Sequence, residues 1–339
     1  MEVSFLKQTA FEPKTISPIN GNVSAANDTG TDDTWYGVDR ELPIIDYTMF
    51  KSDDPAQRSK VIENLGKWCQ EYGFFIVKNH PVPENLIKET IDKFMEFFDQ
   101  TEEEKFKYST RDPDDRIRFF QGDKNIISRE YLYVTTHPTL HCPDEPPTLT
   151  ETVREFSGRV RELGIELLRG ISESLGFEQD YIEKKLTLES SFDFLTVNDY
   201  PARQCSTNRL GQVEHSDTGL FTLVTQNTNG GLQLEHNGQW LNVNIKPDWI
   251  ACNVADFLEI LTNGKYKSVV HRVILNNEVR RVTPPLFIGP ALDTFVSPAP
   301  EFVDDSHPPG YLGMTYRQYL ELNDHQVIDG RSWLQQIRL

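Results

Sequence analysis

The apolar residues of this chain change period partway along it, and that change restricts the fold to a mixed architecture. From residue 55 to about 175 they recur at helical spacing. Val61, Leu65, Trp68 and Cys69 form one stripe, Ile87, Ile91, Phe94 and Phe98 a second, and Val153, Phe156, Val160, Leu163 and Leu167 a third. Asp54-Pro55 supplies a cap and a first-turn proline to the first helix, and Gly73 its stop. Past about residue 188 the pattern becomes strand-like, with Phe192, Phe194, Leu195 and Val197 leading into Asn198-Asp199-Tyr200-Pro201. Leu232-Gln233-Leu234 and Trp240-Leu241-Asn242-Val243 flank Asn237-Gly238, whose tolerance of positive φ suits a tight hairpin. Further strands are expected at 42–46, 74–77, 249–254, 267–274 and 282–288.

Many short strands with turn punctuation predict a jelly roll around a pocket, with the helices of the first half packed outside it as one α+β unit. Residues 1–40 read as a flexible tail, because 13–35 are rich in Ser, Asn, Thr, Gly and Asp and cannot bury much apolar surface. Residues 41–185 read as mainly helical and 186–339 as the β core, closed by a C-terminal helix over 316–339 at the pocket mouth.

Charge and cysteine content narrow the partners. Against 34 Lys+Arg stand 52 Asp+Glu, a net charge of −18 that repels nucleic acid and anionic membrane surfaces. The four cysteines, Cys69, Cys142, Cys205 and Cys252, lie far apart without CxxC spacing, so a reducing, cytoplasmic compartment is expected. No apolar run approaches the length of a membrane span. Nothing in the sequence demands a second subunit, and a monomer is expected.

The stretch VEHSDTGLFTL (213–223) places an imidazole and a carboxylate two residues apart at the entrance to a β-rich segment. In a strand, i and i+2 point to one side, so His215 and Asp217 can converge with Cα atoms about 6–7 Å apart. His271, in SVVHRV, sits in another strand candidate able to return across the barrel. Two neutral imidazoles and one carboxylate on one face of an octahedron leave three positions open, the arrangement of non-haem Fe(II) oxygenases. Zinc accepts the same ligand types, usually with one open position. Ten residues on, Arg281-Val282-Thr283 places a guanidinium and a hydroxyl on one side of a strand. Unless it is simply exposed at the surface, such a guanidinium needs a planar anion, which an internal Asp or Glu or a dicarboxylate co-substrate would supply.

The constellation resembles the plant-type 2-oxoglutarate- and Fe(II)-dependent dioxygenases of the isopenicillin N synthase-like superfamily. The likeness runs from about residue 42 through LPIIDY, CQEYGFFIVKNHPVP (69–83), EFFDQTEEEKFKY (96–108), NDYP (198–201), HSDTGLFTLVTQ (215–226), GLQLEHNGQWLNV (231–243) and DFLEILTNGKYKSVVHRV (256–273). It implies a double-stranded β-helix core with flanking helices. It further implies Fe(II) held by His215, Asp217 and His271, and 2-oxoglutarate held by Arg281 and Thr283 with Tyr200 and Asn198 as further contacts. Ascorbate is a candidate reductant. The reaction so implied consumes 2-oxoglutarate and dioxygen, releases succinate and CO2, and hydroxylates, desaturates or demethylates a small, mostly apolar or aromatic metabolite of plant specialised or hormone metabolism. By motif position Tyr131, Tyr133, Phe287 and Thr196 are candidates to touch that substrate, with core packing as their alternative role.

The chain departs from the family pattern at Thr283, where serine is usual and the hydroxyl is kept, and at Pro284-Pro285, which remove two backbone donors from a strand. Asn79-His80-Pro81 replaces the common NHG, and His80 reads as structural. His137 lies near a segment that can face substrate. Two alternative functions use the same residues: a superfamily oxidase that does not consume 2-oxoglutarate, with Arg281 and Thr283 on a substrate carboxylate, and a zinc hydrolase.

Overall fold

The computed structural model describes residues 37–339 except 113, 123–128, 203–209, 229, 277 and 325–332. Most of the expected tail, Cys205 and His325 lie outside the described residues.

The chain begins with β1 (Ile44–Asp46), α1 (Tyr47–Phe50), α2 (Pro55–Glu71), β2 (Phe74–Lys78), α3 (Glu84–Phe98) and α4 (Glu102–Phe106). Two more strands follow, β3 (Ile117–Gln121) and β4 (Glu130–His137), then α5 (Leu149–Ser174), α6 (Tyr181–Leu186) and β5 (Asp193–Tyr200). The strand-rich half continues with β6 (Leu210–His215), β7 (Phe221–Val224), β8 (Leu232–His236), β9 (Gln239–Val243) and β10 (Ile250–Val254). It closes with α7 (Asp256–Leu261), β11 (His271–Ile274), β12 (Arg281–Thr283), β13 (Leu286–Ile288) and α8 (Tyr316–Asp324).

Local chemistry sets the principal boundaries. Asp54 caps α2 by accepting the Ala56 amide at 2.9 Å, ahead of Pro55 in the first turn. Gly73 leaves α2 with φ +61°, and a β-carbon there would lie 2.1 Å from the Lys267 carbonyl oxygen, so the turn into β2 requires glycine. Asn237 and Gly238 both take positive φ between β8 and β9, as the hairpin dipeptide requires. The stripe of α5 is buried throughout, from Val153 to Leu167, and packs against β7 and β13.

Nine strands form one sheet in the order β1-β2-β10-β7-β13-β5-β4-β3, with β12 paired to β5 off this path. A second sheet runs β6-β11-β8-β9. Residues from both line a common cavity, in the jelly-roll manner expected.

Within 41–185, read as mainly helical, helices predominate, and β3 and β4 extend the large sheet at its far edge. Three expectations are corrected. The strand expected over 267–274 begins only at His271. The strand expected over 282–288 is two strands, because Pro284-Pro285 lack the amide donors to continue the ladder; the Pro285 carbonyl still accepts from Thr196 N at 3.3 Å. Of the helix expected over 316–339, Tyr316–Asp324 is helical and Trp333–Gln335 is a separate short turn, while 325–332 lie outside the described residues. Among the described residues no helix is long and apolar enough to cross a membrane.

Candidate metal centre

Strand β6 ends on His215 and β11 begins on His271, and the antiparallel register sets the two directly opposite each other. Their rings lie 4.2 Å apart, inclined at 54°. Asp217 reaches them from the turn after β6 and not, as the sequence reading had it, from the pleat of a continuing strand. That turn is held by α7, whose Asp256 and Phe257 amides donate to the carbonyls of Asp217 and Gly219 at 3.0 and 2.7 Å. His271 arrives from the neighbouring strand, not from across the barrel.

Hydrogen bonds fix which atoms face inward. The Nδ1 atoms of His215 and His271 lie 2.7 and 3.1 Å from the carbonyl oxygens of Val213 and Val269. A carbonyl only accepts, so each Nδ1 carries the proton and each Nε2 presents a lone pair. The Nε2 atoms lie 3.8 Å (His215) and 3.5 Å (His271) from Asp217 Oδ1. Asn253 donates to the other carboxylate oxygen at 3.0 Å and so keeps Oδ1 turned toward the imidazoles. One donor atom from each of the three residues falls within 4.8 Å of the others.

Electrostatics favour the deprotonated donors a metal needs. Burial, followed by the neighbouring His271, pushes the His215 imidazolium down to about 3. Burial alone would raise the Asp217 carboxyl, but the two histidines and the Asn253 hydrogen bond outweigh it and hold it below its ordinary value. Two neutral nitrogens and one carboxylate oxygen on a buried floor match the facial set of a ferrous ion.

At another part of the same wall, Arg281 is 4 % exposed. Its Nε and Nη2 both donate to the neutral Gln226 Oε1, at 3.0 and 2.7 Å, and its guanidinium lies 5.3 Å from the centre of the Tyr200 ring. No carboxylate of the described residues pairs with it, so the internal Asp or Glu allowed by the sequence is absent there. Gln226 Nε2 is buried without a partner beside it. A buried cation braced by an amide, with an orphan donor next to it, suits the far carboxylate of a small diacid. In register, Arg281 faces Tyr200 and Thr283 faces Asn198, so the four expected co-substrate residues occupy adjacent positions on β12 and β5 and line the cavity. The Asn198 side chain already accepts from Arg129 at 2.8 Å and donates to the Thr196 carbonyl at 2.8 Å.

The cavity holds about 370 Å³. Tyr131, Tyr133, Thr196 and Phe287 all line it. Phe194 stacks between Tyr133 and Phe287 at centroid distances of 4.8 and 4.7 Å, giving one wall a continuous aromatic surface. Leu320 and Glu321 of α8 lie at the cavity, where a closing helix was expected. His137 does not line it: its Nε2 bonds the Glu189 carbonyl at 3.0 Å. Sequence reasoning missed Asn253 and Gln226, whose roles arise from tertiary register, and missed Arg116, Arg118 and Arg129 along the β3–β4 edge. The alternation Arg116-Ile117-Arg118-Phe119-Phe120 was a period-2 signal that could have revealed β3.

Comparison with known proteins agrees with this geometry. Residues 42–153 match the family model described as non-haem dioxygenase in morphine synthesis, N-terminal, and residues 191–290 match the 2OG-Fe(II) oxygenase superfamily. The chain is similar to 2-oxoglutarate-dependent dioxygenase 19 of Oryza sativa subsp. japonica, 37 % identical over 306 residues that cover 88 % of this chain and 90 % of that protein. It is similar to DOWNY MILDEW RESISTANCE 6 of Arabidopsis thaliana, 35 % identical over 82 % of this chain and 83 % of that protein. Among solved structures it resembles JOX2 in complex with 2OG, Fe and JA, with a TM-score of 0.81 and 28 % identity, covering 89 % of this chain and 90 % of the other.

Proposed function

The chain belongs to the plant-type 2-oxoglutarate- and Fe(II)-dependent dioxygenases, and from that premise we propose that His215, Asp217 and His271 hold its ferrous ion while Arg281 and Thr283 hold 2-oxoglutarate. The enzyme is an oxidoreductase that acts on a small molecule. When bound, iron would supply the chemistry by which dioxygen oxidises 2-oxoglutarate to succinate and CO2 and, with its second oxygen atom, oxidises a substrate C–H bond.

The protein's own residues position the reactants and keep out water. The two Nε2 lone pairs and Asp217 Oδ1 would hold the ion from the protein side, as fixed by the Val213 and Val269 carbonyls and by Asn253. Arg281, braced by Gln226, would hold the distal carboxylate of the co-substrate with its remaining N–H donors, and the Thr283 hydroxyl would add a further hydrogen bond. Tyr200 and Asn198 complete that end of the cavity. Tyr131, Tyr133, Phe287 and Thr196 enclose a mostly apolar or aromatic substrate, with hydroxylation as the simplest outcome. Burial pushes the Tyr133 phenol up to about 12 despite the opposing charge of Arg118, so it stays protonated and can donate to the substrate. Residues 41–185 and 186–339 act as one catalytic unit, because β3 and β4 carry part of the substrate wall. The enzyme works as a cytoplasmic monomer in plant specialised or hormone metabolism.

The observation that carries this reading is the convergence of two Nε2 atoms and one carboxylate oxygen in a cavity that also holds a buried guanidinium with no acid partner among the described residues. Under nitrogen, protein loaded with Fe(II) is expected to develop a visible charge-transfer band on addition of 2-oxoglutarate, and to release succinate once oxygen is admitted. Zn(II), with its filled d shell, gives no such band. Turnover supported by Zn(II) without oxygen would mean a hydrolase instead.

Asn253 offers a finer check. Replacing it with alanine frees the Asp217 carboxylate to rotate, and Fe(II) affinity should fall about 10- to 100-fold, as for other residues that orient a metal ligand. Competition with a chelator under nitrogen measures this. An unchanged affinity would show that Asp217 is oriented by its turn alone.

A further inference from the structure

We infer that Asp256 is a positioning residue of the metal centre, and that through Asp256 and Phe257 the placement of the metal ligands depends on α8, the helix at the cavity. The inference rests on the metal assignment above and adds to it the route by which a molecule filling the cavity is felt at the three ligands.

Two consecutive residues at the start of α7 work in two directions. Their backbone amides hold the turn that carries Asp217, Asp256 donating to the Asp217 carbonyl at 3.0 Å and Phe257 to that of Gly219 at 2.7 Å. Their side chains hold α8. Asp256 Oδ2 accepts from the Tyr319 hydroxyl at 2.6 Å, and the Phe257 ring meets Tyr316 and Tyr319 edge-on at centroid distances of 5.1 and 5.0 Å. Both tyrosines are fully buried, three positions apart and so on one face of α8. Leu320, the residue after Tyr319, lines the cavity with Arg317 and Glu321 of the same helix. A molecule that fills the cavity thus touches the helix whose other face is fastened to α7.

The approach to His271 is tied to the same short helix. Asp256 Oδ1 accepts from Ser268 Oγ at 2.6 Å, and Glu259, one turn further along α7, accepts from the Ser268 amide at 2.6 Å. Ser268 precedes Val269, whose carbonyl sets the tautomer of His271. Glu259 also receives Arg338 Nη2 at 2.8 Å and the Tyr311 hydroxyl, from the chain on either side of α8. Asp256 and Glu259 are each 1 % exposed. Carboxylates taken this far from water are costly, and apolar residues of similar volume often fill such positions with no loss of stability. What the two acids supply is direction, because a hydrogen bond fixes both a distance and an angle. A shift of α8 moves Tyr319 and with it Asp256, the turn of Asp217 and the approach to His271. By linkage, whatever draws α8 onto the cavity strengthens the hold on the metal, and metal binding steadies α8 by the same factor.

The test measures Fe(II) affinity under nitrogen by chelator competition, and hydrogen exchange over residues 316–322 with and without the metal. In the parent, Fe(II) is expected to slow exchange along α8. Tyr319→Phe keeps the ring, removes the hydroxyl, and should lower Fe(II) affinity about 3- to 30-fold, the range of coupling carried through a packed contact, with most of the metal-dependent protection lost. Asp256→Ala should lower the affinity about 10- to 100-fold. Asp256→Asn keeps an acceptor and gains a donor that either hydroxyl can accept, and should bind the metal as the parent does. A role in folding alone would lower the melting temperature of the metal-free variants and leave both readouts of the folded protein at parent values. Parent-like Fe(II) affinity in folded Tyr319→Phe, or α8 exchange in the parent that is indifferent to bound metal, would overturn the inference; neither outcome depends on whether Asp256→Ala folds. Parent protein that binds no Fe(II) would sink the metal assignment and this inference together, whereas binding that only the Tyr319 variant leaves unchanged would sink the inference alone.

Discussion

Replacing His271 with alanine is expected to lower Fe(II) affinity about 10²- to 10³-fold and to remove succinate release at micromolar iron by a similar factor. The estimate follows from structural zinc sites, where four ligands together contribute ~10–16 kcal/mol, or about 2.5–4 kcal/mol each, and a loss of that size is roughly two to three decades of binding. His271 is a strong test because its Nε2 has no other evident role: Nδ1 is spent on the Val269 carbonyl, and the ring edge faces Asp217 and His215. Its loss also leaves Asp217 with one cation-ligating neighbour in a site that is 4 % exposed. Chelator competition under nitrogen measures the affinity, and a thermal melt of the metal-free variant separates metal loss from unfolding. Undiminished oxygen-dependent turnover in a folded variant would remove His271 from the site.

Replacing Arg281 with leucine should act on the other partner. Two parallel charge-assisted hydrogen bonds inside a dry wall are worth about 2–4 kcal/mol, so KM for 2-oxoglutarate is expected to rise ~30- to 10³-fold with Fe(II) affinity unchanged. A second consequence has the opposite sign. In the ligand-free protein this guanidinium is a buried charge met, among the described residues, by the uncharged Gln226 and Tyr200 and by no carboxylate, and removing such a charge is commonly neutral or stabilising. The variant should therefore melt no earlier than the parent without 2-oxoglutarate, and lose the upward shift that the parent shows with it. A parent-like KM would mean that the co-substrate carboxylate lies elsewhere.

Much of this was legible in the sequence because the strongest signals are local. The stripes of α2, α3 and α5, the Asp54-Pro55 start and the Asn237-Gly238 hairpin each depend on a few neighbouring residues. The metal set was legible from residue type and spacing, although the local geometry assumed for it was not the geometry found. Asp217 points to the histidines from a turn held by the first amides of α7, and His271 stands beside His215 instead of across from it. The residues that tune the site were not legible at all. Asn253 lies 36 positions from Asp217 and meets it only because β10 pairs with β7, and Gln226 reaches Arg281 across 55 positions. Strand β3 was hidden by its brevity and by the helical stripes on either side of it.

The diproline between β12 and β13 has a mechanical meaning. Arg281, Thr283, Pro285 and Phe287 all face the cavity, so the alternation of side chains passes through the break unshifted although the ladder does not. Proline holds its φ near −65°, and two in succession leave this joint little torsional play. On the proposed assignment, the grip on one reactant and the wall against the other would belong to a single stiff length of backbone, which would work as a gauge: the gap between the two molecules would be cut to size when the chain folds and need not be found anew at each turnover.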